Sequence, residues 1–586
     1  MTALIELIRI LLVALFSIAV RAAAGSDGVI HTPGDMPDLA YTLAYEPGEL
    51  PALSVGLSFK GSGDGVSTIS LPEQWGGIDE PGNDIASIVA SSDDGTPIKV
   101  SRDGPRTWTI SHTPGARITC EYRIAPGKRE PWRRGNDYRT VVSPELVHAI
   151  GNLALAYPDH MRTPEPREIA LDLTGLAMPG WQVVSSHGPG PSRRVVRMPG
   201  EKFLHAAFIA GNGRMLEKQI GRNRLGVYIH SDLWSFSDET FADLCATIVR
   251  AERDFFADHS DPWFLISLVP QGNSAPGGYS LGGTGLTNAF ALYCTPTMSL
   301  EPGSHQLRSV QRLLAHEYMH TWIGGKISVR DTPETLGYWF SEGFTDFLAR
   351  RVLHKTGLWT DVEYAADLSD ALGRYDASPA RSAGNNAIAG GFWSDPIVRD
   401  LPYRRGDLLA LAIDERIRAA NASDEGTRTL EHLIRDLLTR AIENGEHATT
   451  DKILTLVEAY TDADFAARAR ASINDGGHIP IPERTTVPAL ELTTRQMRSS
   501  DPGFDMEATR TSKIITGIVP GSGAAEAGLM DGMKLVSFTM NNGSGAPPKA
   551  VATIKSESGD EITFEYEAVS APRAARAYVP VPHRPD

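Results

Sequence analysis

Apolar residues recur at helical spacing through HQLRSVQRLLAHEYMHTW, from His305 to Trp322, at Leu307, Val310, Leu313, Leu314 and Tyr318. Ser304 stands where an N-cap belongs, and Gly324-Gly325 supplies a stop just beyond. Around this helix the pattern divides the chain. From residue 26 to about 215, short runs alternate apolar and polar residues at period two. Residues 54–59, 107–112, 117–124, 169–173 and 182–185 read as strands of a β-rich domain, a sandwich or saddle. From Leu225 the elements lengthen: strands over 225–229 and 263–269, a helix over 237–256, and a run of helices to about Ile473. Two of those helices are expected to open at Tyr403 and to span 427–444, the latter ending at Gly445. Asn474 to Pro482 is a break, and short elements follow it.

Length and charge narrow the picture. At 586 residues and 63.4 kDa the chain is too long for one core, which implies three or four domains. Its net charge of -16 argues against nucleic acid as a partner, and no Lys/Arg cluster offsets it. The three cysteines, Cys120, Cys245 and Cys294, are far apart and form no CxxC pair, so they build neither a metal site nor a disulfide framework. Cys120 is expected on the buried face of the strand over 117–124. Residues 5–20 are an apolar run, and Ala22-x-Ala24 has the small-residue form of a signal-peptidase site. The chain is therefore expected to be exported, periplasmic or secreted, with its mature part beginning near Gly25. An uncleaved N-terminal anchor is the alternative reading.

The chemistry lies on the central helix. HEYMH places His316 and His320 one turn apart, so both imidazoles project from one face and can share one zinc ion, with Glu317 beside them. Downstream, in GYWFSEGFTD, Ser341 is expected to cap a second helix reaching about His354. Glu342 in its first turn would supply the third ligand. Asp346, four residues on, is on the same face and placed to accept the remaining N–H of a zinc histidine. The expected cofactor is one Zn2+ per chain.

HEYMHTW, WFSEGFTDF and the YRRGDLL run from Tyr403 together resemble the gluzincin metallopeptidases, above all the glycyl aminopeptidase family, whose members often carry a C-terminal PDZ domain. The resemblance covers most of residues 220–570. It implies His316, His320 and Glu342 as ligands, Glu317 as base, and Tyr403 as the phenol that steadies the tetrahedral intermediate. It also implies a multidomain α+β chain. The expected parts are a signal peptide over 1–24 and an N-terminal β-rich domain over 25–215. A thermolysin-like, mainly α zinc-peptidase domain over 216–484 and a PDZ domain over 485–570 follow, with a loose tail over 571–586. In the PDZ stretch, Gly503 and Phe504 form the expected carboxylate loop, open to a C-terminal peptide ligand.

One departure bears on specificity. Gly277, Gly278, Tyr279 and Ser280 open a glycine-rich run to Gly285 that lacks the Lys-Ser/Thr of a phosphate loop. It reads instead as an edge strand whose backbone hydrogen-bonds an extended substrate. Relatives carry an acid in this loop, thought to hold the substrate's free amino group; here there is none. Peptide or protein substrates are expected, with blocked peptides cut at least as well as free ones. The rival reading is a non-catalytic zinc- and PDZ-containing peptide-binding or chaperone-like protein. The retained Glu317 speaks against it, since a structural zinc site needs no base.

Overall fold

The computed structural model describes residues 37–125, 138–271, 280–421, 428–541, 549–556 and 558–582. The leader read over 1–24 lies outside them, as do Gly277, Gly278 and Tyr279 of the glycine-rich loop. No helix among the described residues is long and apolar enough to cross a membrane. The architecture is mixed α and β, with a β-rich N-terminal region followed by a helical one.

Period-two patterning accounts for the N-terminal region. A seven-stranded sheet has Leu39–Glu46, Ala52–Lys60 and Arg117–Ile124 at its centre. Along Ala52–Lys60, Leu53, Val55, Leu57 and Phe59 all point into the core. Two four-stranded sheets, holding Thr107–Ser111 and Gln182–Ser185, pack on the same core through Trp108, Ile110 and Phe208. Cys120 is buried on its strand as expected, and all three cysteines are free.

A five-stranded mixed sheet lies at the centre of the molecule. Asn223–Ile229, Trp263–Pro270 and Ala289–Cys294 run parallel, and Leu281–Leu286 adds antiparallel at one edge. Trp263–Pro270 is buried at all eight positions because both faces of the sheet are covered. Phe264, Ile266 and Leu268 face the helices, whereas Trp263 and Leu265 face Ile150 and Ile209 of the N-terminal region. The helix Asp238–Phe256, capped by Ser237, packs beside the motif helix His305–Met319, capped by Ser304.

Two helix starts differ from expectation. Ser341 does not cap the second helix: it ends a short helix, Tyr338–Ser341, and Glu342 itself is the N-cap of Gly343–Lys355 with helical backbone angles. The two helices are nearly continuous, which leaves no extended residue for a serine cap. Tyr403 does not open its helix either. Pro396–Ala420 starts two turns earlier, where the Asp395 side chain accepts from the Ile397 N–H and Pro396 occupies the first turn. Pro402 is tolerated inside it. This helix meets Gly343–Lys355 glycine on glycine. A Cβ on Gly343 would stand 2.4 Å from the Gly406 Cα, and one on Gly406 would stand 1.8 Å from the Trp339 carbonyl oxygen.

The C-terminal part holds a larger correction. In place of the loose tail read over 571–586, Arg573–Pro580 pairs along the whole of Leu490–Met497. The Ser369 hydroxyl donates to the Tyr578 carbonyl and accepts from its N–H, Arg576 pairs with Asp376, and the Tyr578 hydroxyl donates to Pro482 O. The Pro and Arg content suggested disorder, but buried Ala577 and Tyr578 fix this strand to the helix Asp361–Ala377. Between these two strands, Lys534–Asn541, Lys549–Lys555 and Glu561–Glu567 form a three-stranded sheet over a core of Phe504, Ile515, Leu529 and Ala552.

The glycine crossing generates a test. Gly406→Ala should destabilise the protein by about 1–3 kcal/mol through overpacking, read as a lower midpoint of chemical unfolding. An unchanged midpoint would mean that the two helices can part without loss.

Candidate metal centre

His316 and His320 leave the motif helix on one face, as i,i+4 spacing dictates. Their outward nitrogens are engaged. His316 Nδ1 is 2.9 Å from Asp346 Oδ1, and His320 Nδ1 is 3.1 Å from the Ile323 carbonyl oxygen. A carboxylate and a carbonyl both accept, so each ring carries its proton on Nδ1 and turns a bare Nε2 inward. The two Nε2 atoms are 3.2 Å apart, and Glu342 Oε2 is 3.4 Å from one and 3.6 Å from the other. With both rings neutral, three lone pairs converge, a set that calls for a cation, whether a shared proton or a metal ion. Two nitrogens and one oxygen are the donors zinc takes, so the residues fit that ion. Among the described residues this is the one group of three or more His, Cys, Asp and Glu side chains so disposed.

The electrostatics carry the same demand. Burial alone would lower the His316 pKa, but Asp346 and Glu342 push it up to about 10. His320 is raised too, burial being outweighed chiefly by Glu342. Despite burial, the histidines hold the Glu342 carboxyl far below the usual carboxylate range. Without a metal the cluster retains a proton; with one, the ion takes that place.

Glu317 points from the same helix toward the sheet. Its Oε2 accepts from the Gly285 N–H at 3.1 Å, and burial raises its pKa although both histidines pull it down. Its carboxylate is therefore aimed by the edge strand Leu281–Leu286. Tyr403 lies on the other side, its ring 6.4 Å from that of His316 and nearly parallel to it. Burial, then Glu342 and Asp346, raise its phenol well above the ordinary value, so the hydroxyl keeps its proton.

The edge strand is more occupied than its glycines suggested. Gly283 O accepts from the Tyr138 hydroxyl at 2.6 Å, and Gly285 N–H is held by Glu317. Gly283 is required by packing, since a Cβ there would stand 2.3 Å from the Phe290 ring. Ser280 turns both its N–H and its carbonyl to Thr295. In the C-terminal part, the Gly503 N–H donates to Asp501 Oδ1 at 2.7 Å and Phe504 is buried, so Gly503 offers a ligand carboxylate no free N–H.

Sequence reading missed the arginines. Asp346, with its carboxyl held far below the usual range by Arg312 and His316 against burial, lies 3.1 Å from Arg312 and 3.5 Å from Arg404. Arg312 continues to Asp367, Asp367 to Arg350, and Arg350 forks onto buried Asp407. The signal for Arg312 was present: 312, 316 and 320 form one i,i+4 ridge. Tyr138 and Gly285 had no local signal, because their contacts span 145 and 32 residues.

The model of the M61 glycyl aminopeptidase family matches residues 309–389, a stretch that holds the histidines, Glu317, Glu342 and Asp346 but neither Tyr403 nor the edge strand. No curated protein sequence matches. Among solved structures, an aminopeptidase N family protein from Idiomarina loihiensis is similar at a TM-score of 0.68 and 15% identity, covering 92% of this chain and 98% of its own. A variant of the M1 zinc metallopeptidase from Deinococcus radiodurans, bound to a Tyr-Ser-Ala substrate, is similar at a TM-score of 0.47 and 16% identity, covering 76% and 96%. The first likeness shows a shared fold along nearly the whole chain.

Because Asp346 fixes the His316 ring, Asp346→Ala should weaken binding of a divalent ion by about 10–100-fold. Competition with a chelator measures it, and an unaltered affinity would place the ring under other control.

Proposed function

We propose that this chain is a zinc-dependent peptidase that hydrolyses peptide bonds by direct attack of water. The convergence of His316 Nε2, His320 Nε2 and Glu342 Oε2, with Glu317 on the adjoining position, carries the reading. The match to the M61 glycyl aminopeptidase model over the same residues supports it. When bound, zinc supplies Lewis acidity, polarising a carbonyl and making a water easier to deprotonate.

In this mechanism Glu317 takes the proton of the attacking water and delivers it to the leaving amine. Its raised pKa suits both halves of that transfer, and the Gly285 N–H holds the carboxylate in place. Tyr403, protonated and beside His316, donates a hydrogen bond to the oxygen that gains charge in the transition state. The edge strand aligns the substrate through the outward groups that Tyr138 and Glu317 leave open.

Export through the leader over 1–24, and peptide recognition by a PDZ-type unit over 485–570, belong to the same proposal on the sequence resemblance. Any carboxylate capture by that unit would use backbone other than the Gly503 N–H. A non-catalytic zinc protein is disfavoured because, among the described residues, only three side chains converge on the site, with a carboxylate beside them.

Metal analysis should find one zinc per chain, lost in Glu342→Ala and kept in Glu317→Gln. The second variant should lose turnover by about 10²-fold or more. Purified protein that holds no zinc and takes up none would overturn the site. Tyr403→Phe should lower kcat by roughly 10²-fold with KM little changed; unaltered kcat would return Tyr403 to packing.

A further inference from the structure

The two candidate histidine ligands are steadied by different means. His316 is held by a side chain, Asp346, whereas His320 Nδ1 meets a backbone carbonyl, that of Ile323, at 3.1 Å. A carbonyl cannot be re-aimed by turning a side chain, so the backbone turn that carries it sets the ring. That turn, residues 321–327, contains two adjacent glycines. Gly324 has a φ of +87°, and a Cβ on Gly325 would stand 2.4 Å from the His320 carbonyl oxygen. Glycine is required at both places, and it brings a conformational freedom that other contacts must offset.

Those contacts converge on one carboxylate. Within the turn, the Ile327 N–H donates to Trp322 O at 2.8 Å and the Gly324 N–H to Ile327 O at 3.1 Å. From outside it is gripped by Asp258, two residues beyond the helix Asp238–Phe256. Asp258 Oδ2 accepts from the Trp322 indole N–H at 2.7 Å and from the Lys326 ammonium, so residues on both sides of Ile323 are tied to one atom. The Trp322 indole is also stacked on the Phe256 ring, 4.3 Å between centroids. Lys326 donates in addition to the Ser260 hydroxyl and pairs with Asp261. The carboxylate is itself aimed, since Oδ1 accepts from the Ser260 N–H at 3.0 Å. Arg253 completes the frame by donating to the Tyr318 hydroxyl on the motif helix and to Asp261 O. Against burial, Lys326, Ser260 and Trp322 hold the Asp258 carboxyl far below its usual range, so it is ionised at neutral pH.

We infer that Asp258 is a positioning residue for the metal centre: by clasping Trp322 and Lys326 it fixes the Ile323 carbonyl, and through that carbonyl the His320 ring. The inference rests on the zinc reading and deepens it, because it extends control of the ligands to a segment that supplies none of them. It is separate from Asp346, whose charged partners steady His316.

The test measures zinc affinity of the full chain by competition with a chelator. Asp258→Ala should weaken it by about tenfold, the low end of what losing a ligand's direct partner costs. Asp258→Asn keeps an oxygen for the indole but removes the charge, and should lose less. Lys326→Met should match Asp258→Asn, and the double variant should be no weaker than either, because both remove one contact. In metal-free Asp258→Ala, amide hydrogen exchange at Gly324 and Ile327 should quicken, a local loosening of the turn. Val55→Ala, in the core of the N-terminal sheet, is the control: it should lower the unfolding midpoint and leave zinc affinity unchanged. Should Asp258→Ala not fold, Lys326→Met decides. Unaltered affinity in the Asp258 and Lys326 variants, or an equal loss in Val55→Ala, would overturn the clasp and leave the metal centre standing. Wild-type protein that takes up no zinc would instead overturn the metal centre, and the clasp with it.

Discussion

Two imidazole nitrogens and a carboxylate oxygen, all lone pairs, are held within 3.6 Å of one another. Left to themselves such groups repel, or draw in water or a proton. The surrounding chain is arranged to keep them together. Ile323 O and Asp346 fix the outer nitrogens, and the near-continuity of Tyr338–Ser341 with Gly343–Lys355 sets Glu342 at the junction. The helix that carries Tyr403 comes close enough only because both helices have glycine where they cross.

Behind the histidines runs a relay of charge: Asp346, Arg312, Asp367, Arg350, Asp407. It touches four helices in turn, ending on the one that bears Tyr403. Buried ion pairs add little to net stability, because desolvation offsets their attraction. Their geometry is exacting, however, and Arg350 meets Asp407 through both ends of its guanidinium. The relay thus ties the orientation of His316 to the placement of the phenol facing it.

What could be read in advance followed the range of the interaction. The HEYMH helix, Asp346 on His316, and strands such as Arg117–Ile124 follow from spacing of four or two, and local spacing is visible in a string of letters. Helix starts were harder: Asp395 and Pro396 begin the Tyr403 helix two turns early, and Glu342 displaces Ser341 as cap. Long-range partnerships left no trace. The strand Arg573–Pro580 resembled a disordered tail because its stabilising partners, Ser369 and Asp376, lie some 200 residues away.

The hydrogen bond from Tyr138 to Gly283 joins the N-terminal region to the strand whose next outward amide holds Glu317. The sheet behind that strand also buries Trp263, Leu265 and Ala291 against Leu146, Ile150 and Ile209. The chemistry is thus not housed in a detachable module. A fragment cut to residues 216–484 would keep every candidate ligand and yet lose the brace behind its base, while baring a sheet face built to be dry. The β-rich half is in effect the back wall of the reaction vessel, and loosening that wall would be felt at a carboxylate to which it contributes no ligand.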